Sequence, residues 1–105
     1  MKNLHWFVYI EDINRNKITK YDIFNCVAFS DDIKKDYKEY KDNFELFSER
    51  VNRNLRYYFW GKCEYEIILS DWPPSDSFKK EKIDVYDQVM LNWDVFIKYV
   101  WDNIK

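Results

Sequence analysis

Two periods of apolar spacing alternate along this chain, and each switch between them marks an element. Residues 4–10, Leu-His-Trp-Phe-Val-Tyr-Ile, are continuously apolar or aromatic with β-branched members, the pattern of a strand buried on both faces. Asn14-Arg15-Asn16-Lys17 then makes a polar break without glycine, and residues 17–24, carrying Ile18, Tyr21, Ile23 and Phe24, read as a second strand. The two are expected to pair as an antiparallel hairpin.

From residue 30 the spacing changes. Ser30-Asp31-Asp32 offers a capping hydroxyl followed by acids, which favour the positive end of a helix dipole. The apolar positions Ile33, Tyr37, Tyr40, Phe44, Phe47, Val51, Leu55 and Tyr58 follow at steps of three and four, one stripe at helical period. Gly61 lies just past Trp60, where a helix often closes on a left-handed residue. Asp42-Asn43-Phe44-Glu45 resembles a capping box in mid-run and divides the segment into helices near 31–41 and 43–60. An unbroken helix of that extent would run about 45 Å, long for so small a domain.

Beyond Gly61 the period returns to two. Cys63, Tyr65, Ile67 and Leu69 alternate with Glu64, Glu66, Ile68 and Ser70, which predicts a half-buried strand over 63–70. Asp71-Trp72-Pro73-Pro74-Ser75-Asp76-Ser77 is a loop stiffened by its prolines. A fourth strand is predicted near 80–86, with Ile83 and Val85 on one face and Asp84 and Tyr86 on the other. A final helix begins around Asp87 or Asn92, with Trp93, Phe96, Ile97, Val100, Trp101 and Ile104 on its apolar stripe. The order β-β-α(α)-β-β-α predicts a single α+β domain, with a four-stranded antiparallel sheet of two hairpins and helices packed on one face.

Composition narrows the function classes. With 105 residues the chain suits one domain, and such a length buries roughly two-thirds of the unfolded surface without metal or disulfide staples. A net charge of −2, from 17 Lys+Arg against 19 Asp+Glu, argues against reliance on non-specific phosphate attraction. No apolar run approaches the roughly 20 residues of a membrane helix, and no export signal opens the chain. Cys26 and Cys63 therefore read as reduced thiols in a cytosol. Five Trp, nine Tyr and eight Phe make 21% of the residues, more rings than one small core needs. Part of this excess fits drift in an AT-rich genome, although drift does not favour Trp. The rest is expected at an interface with a partner or a second copy of the chain.

Candidate chemistry is sparse. No Gly-rich phosphate loop, nucleophile elbow or zinc-helix motif is present, and His5, the only histidine, has no visible triad partner. It reads as a histidine at a sheet edge. Glu64, Glu66, Asp84 and Asp87 gather around the predicted second hairpin, a set that would suit a metal-dependent nuclease or hydrolase, with Lys62 or Lys82 beside them. The competing reading is an outer sheet face of acids paired across strands with Lys80 and Lys82. No cofactor or metal is expected on the favoured reading. Arg50, Arg53 and Arg56 recur every third residue, a patch for an acidic partner or, with Tyr57 or Phe59 stacking, for single-stranded nucleic acid. Its alternative is a solvated face with Glu49 and Asp42 in local pairs. In the proline-rich loop, Asp71 and Trp72 have the stiffness a docking anchor needs, unless Trp72 folds back on the core.

Tyr57-Tyr58-Phe59-Trp60-Gly61-Lys62-Cys63-Glu64-Tyr65-Glu66, Asp71-Trp72-Pro73-Pro74 and the run from Lys82-Ile83-Asp84-Val85-Tyr86-Asp87 to Asn92-Trp93 carry a resemblance. Over residues 57–100 the chain resembles a group of small uncharacterised proteins of phages, plasmids and gut Firmicutes. The resemblance implies a cytosolic accessory protein of a mobile element, and such proteins often block host defence as anti-CRISPR inhibitors do. The expectation is thus a non-enzymatic inhibitor of a bacterial enzyme, such as a CRISPR nuclease, that binds through Asp71, Trp72, Arg50, Arg53 and Arg56. Membrane binding is not expected, and nucleic acid alone is the lesser partner.

Overall fold

A computed structural model describes residues 4–12, 17–60, 66–68 and 85–104. Strand β1 (Phe7–Asp12) turns back into β2 (Lys17–Asp22), with Phe7 opposite Asp22 and Asp12 opposite Lys17. The N–H of Ile23 donates to the Trp6 carbonyl at 3.1 Å and carries the ladder one step past the paired strands. The hairpin expected from the polar break is present. Its first strand is not buried on both faces, however. Leu4 and Val8 are buried and Trp6 partly so, whereas His5 and Phe7 lie exposed and stacked on the other side. Over residues 4–8 only one side of the segment reaches the core, as period-two alternation requires.

The four-stranded, two-hairpin sheet is overturned. The sheet has three strands in the order β2-β1-β3, in which β3 (Glu66–Ile68) lies antiparallel on the free edge of β1. No described residue supplies a partner on the far side of β3, and the expected fourth strand ends inside a helix, α3 (Val85–Met90). The physical reason lies in burial. Val85, Gln88 and Val89 are the buried positions, at helical spacing, so Val85 pairs with the residue four ahead and not with Ile83 two behind. Residues 80–84 lie outside the described part. The remainder is helical: α1 (Val27–Tyr40), α2 (Phe44–Phe59) and α4 (Trp93–Ile104).

Helix α1 starts earlier than Ser30. Asp22 closes β2 and caps a 3₁₀ turn (Ile23–Asn25) by accepting from the Phe24 N–H, and the chain passes directly from that turn into α1. Ser30 lies inside the helix and donates its hydroxyl to the Phe24 carbonyl at 2.7 Å instead of capping. Burial of Phe29, packed against Phe24, Tyr58 and Phe59, draws the start forward. The division in mid-run is where the sequence places it. Asn43 caps α2, and its side chain accepts from the Leu46 N–H at 3.1 Å.

One core joins these elements. Phe47, Val51, Leu55 and Phe59 of α2 meet Phe29 and Ile33 of α1, Val85 and Val89 of α3, and Phe96, Ile97, Val100 and Ile104 of α4. Phe59, not Tyr58, completes the buried row of α2. Three of the tryptophans are committed to this packing. Trp6 lies edge-on to Phe96, Trp93 tilts over Phe96 and donates to Ser48, and Trp101 packs on Tyr37, Phe44 and Phe47. Among the described residues no helix is long and apolar enough to cross a membrane.

Candidate interaction surface

Helix α2 is the central element, and its circumference divides into sectors by the roughly 100° turn of each residue. One sector is a polar ladder to α1. Arg50 donates to the Tyr40 hydroxyl at 3.2 Å, Asn54 donates to Asp36 at 2.7 Å, and the Tyr58 hydroxyl donates to Asp32 at 2.5 Å. Each step of four down α1 is matched by a step of four up α2, the register of two antiparallel helices. On the opposite side, Asn52 accepts from the Tyr86 hydroxyl at 3.1 Å and faces the Met90 sulfur, and Ser48 accepts from Trp93. The buried row lies between these two polar sectors.

What remains is Glu49, Arg53, Arg56, Tyr57 and Trp60, all exposed. They fall within an arc of about 100° at this helical pitch. Trp60 is 54% exposed and Tyr57 65% exposed, while the Arg56 guanidinium sits 5.2 Å from the centre of the Trp60 ring. A guanidinium over a ring face keeps its N–H edge for a carboxylate. No ion pair ties Arg53 or Arg56 to Glu49 or Asp42 among the described residues, so the expected local neutralisation is not what occupies this face.

The three arginines do not form one patch. Each three-residue step turns the helix by about 300°, so Arg50 and Arg56 stand about 120° apart. Arg50 belongs to the ladder: its guanidinium lies 5.5 Å from the Tyr40 ring centre, and the hydrogen bond to Tyr40 raises its pKa further. Phe59, offered with Tyr57 as a stacking platform, is buried in the core and unavailable to any ligand. Trp60 takes its place, legible from the same rotation that separates the arginines.

Two of the acidic candidates are described, and they lie in different elements. Glu66 lies in β3 opposite Glu11, and Asp87 lies in the first turn of α3 and not at the end of a strand. Glu64, Asp84, Asp71 and Trp72 fall outside the described residues, as does Cys63. Among the described residues no three His, Cys, Asp or Glu side chains form a group able to hold a metal ion. Cys26 carries a free thiol.

The ladder has a titration signature. Burial pushes the Asp36 carboxyl up against the opposing pull of Arg50. The hydrogen bond to Asp32, followed by desolvation, pushes the Tyr58 hydroxyl up from 10.0 to about 12. Because the folded state holds this proton more tightly, the contribution of Tyr58 is complete below pH 10 and is lost as pH rises towards 12. The expected result is a steeper fall in thermal midpoint between those values for the native chain than for Tyr58→Phe. Parallel curves for the two proteins would place Tyr58 outside the ladder.

No protein-family model, curated protein or solved structure matches the chain.

Proposed function

We propose that this chain is a non-enzymatic protein-binding accessory protein, docking an acidic surface of a bacterial enzyme on the solvent face of α2 and inhibiting it. The observation that carries this reading is Arg56 stacked on an exposed Trp60, beside Arg53 and Tyr57, on a helix whose other sectors are all packed. Exposed tryptophan and arginine in one patch is the composition of a binding hot spot. Two guanidinium groups without acid partners, on a chain of net charge −2, select a complementary acidic patch. The resemblance over residues 57–100 to proteins of mobile elements supports a host-defence enzyme as the target, with a CRISPR nuclease as the candidate. Trp72 and Asp71, the other residues expected at an interface, lie outside the described residues.

The test is competitive capture from nuclease-treated bacterial lysate with the native chain and with Arg53→Glu/Arg56→Glu. A single protein retained by the native chain and released by the double reversal, with both chains melting alike, is the expected result. Equal retention by both would overturn the assignment. So would capture of single-stranded oligonucleotides with affinity that falls steeply with salt, the mark of phosphate binding.

A further inference from the structure

A second feature lies on the far side of the molecule, where the chain enters β1. His5 is fixed from three directions: its Nδ1 lies 2.8 Å from Asp22 Oδ2, its backbone N–H donates to the Tyr99 hydroxyl at 2.9 Å, and its ring stacks on Phe7 with planes 7° apart. Asp22 is only 4% exposed, and its other oxygen accepts from the N–H groups of Trp6 and Phe24 at 3.1 and 3.0 Å. A carboxylate held this way only accepts, so Nδ1 carries the hydrogen and Nε2 is turned to the remaining side of the ring. Among the described residues Nε2 has no partner.

His5 also lines a cavity of about 260 Å³, together with Leu4, Phe24, Val27, Asp31 and Lys34. The lining has two characters: Leu4, Phe24 and Val27 form an apolar wall, and His5 and Lys34 supply an imidazole and an ammonium. Asp31 already faces Lys34 at 3.9 Å and is largely solvated, so it does not make the cavity a cation site. The Lys34 ammonium takes an anionic oxygen, an imidazole pairs with an acidic group, and the wall takes a hydrocarbon body. The volume falls slightly below the roughly 300 Å³ at which ordinary ligand sites begin, which limits the occupant to a small metabolite.

We propose that this cavity binds a small organic anion, its acidic group held between His5 Nε2 and Lys34 and its apolar body against Leu4, Phe24 and Val27. A carboxylate bonded to one ring nitrogen fixes the tautomer and orientation of an imidazole, as it does for metal-ligating histidines. The site is separate from the α2 face and does not depend on the docking assignment.

The chain holds a single histidine, so its ring resonances report on this site alone. Benzoate and phenyl phosphate serve as probes, with benzyl alcohol as the neutral control, each titrated into the native chain and into Lys34→Met. Saturable displacement of the His5 ring signals by at least one anion in the millimolar range, absent with benzyl alcohol and weakened at least tenfold in Lys34→Met, is the expected result. The two anions then distinguish a carboxylate from a phosphate ligand. No saturating change with either anion, an equal change with benzyl alcohol, or an unaltered titration in Lys34→Met would each overturn the proposal. Lys34 is well exposed and outside the core, so its replacement leaves the fold in place for the comparison.

Discussion

Phe96→Ala is expected to cost about 3–5 kcal/mol, the range for truncating a buried phenyl ring. Phe96 is fully buried and touches three other rings: Trp6 edge-on at 5.2 Å, Phe24 stacked at 5.9 Å and Trp93 tilted at 5.5 Å. It therefore joins the start of β1, the turn after β2 and α4 at a single point. Its neighbours are rings anchored on three separate elements, so the space left by truncation does not collapse easily, and the residual cavity adds to the lost transfer energy. A domain of this size has about 5–15 kcal/mol in all, and the thermal midpoint is expected to fall by roughly 15 °C or more. Phe96→Leu, which restores most of the volume, is expected to recover over half of the loss. A fall of only a few degrees in Phe96→Ala would show that the rings repack around the gap.

Asp22→Ala is expected to rank next. The side chain is almost completely covered and serves two backbone N–H groups and the His5 imidazole. Truncation leaves the N–H groups of Trp6 and Phe24 without their acceptor, at about 1–3 kcal/mol for the buried Phe24 donor and less for the part-buried Trp6 donor. The 3₁₀ turn that leads into α1 also loses its cap. His5, being exposed, exchanges its bond for one to water and adds little. Asp22→Asn separates these contributions, because its carbonyl still accepts from both N–H groups while the amide nitrogen no longer accepts from imidazole. Chemical denaturation is expected to show most of the stability restored in Asp22→Asn relative to Asp22→Ala. Equal losses in the two variants would place the importance of this residue in its charge and not in the backbone bonds it satisfies.

The helical part of this fold was legible wherever the apolar spacing was long. The row from Ile33 to Leu55, the division at Asn43 and the stripe from Phe96 to Ile104 repeat over several turns, so the period is unambiguous. The region around Val85 was not. Two apolar residues two apart fit a short strand as well as they fit a helix, and only Val89 four residues on decides between them. The sheet was misjudged for a related reason: a strand pattern states that a segment pairs but not with which edge, and β3 took the free edge of β1.

The candidate site followed the same division. Arg53 and Arg56 were legible as cations, but the separation of Arg50 from them is a matter of rotation around α2 and of the partner Tyr40 supplied by α1. By residue type Trp60 carries no mark of an anchor in the sequence, where it closes a helical run, whereas Trp72 stands out beside two prolines. The pairing of His5 with Asp22 was beyond the sequence altogether. It depends on the register that sets Phe7 opposite Asp22, and neighbours along the chain carry no mark of it.

The excess of rings also has a more specific outcome than the composition suggested. Trp6, Trp93 and Trp101 stitch the edges of the core, and Trp60 stands outside it with Arg56 over its face. The sharpest trial of the docking face is therefore Trp60→Ala, with thermal midpoint and affinity for the captured partner measured on the same preparation. A midpoint shifted by no more than about 4 °C, the equivalent of about 0.5 kcal/mol at an ordinary surface site, with affinity down by about tenfold or more, is the expected result. Undiminished affinity, or a midpoint that drops as far as in Phe96→Ala, would contradict it.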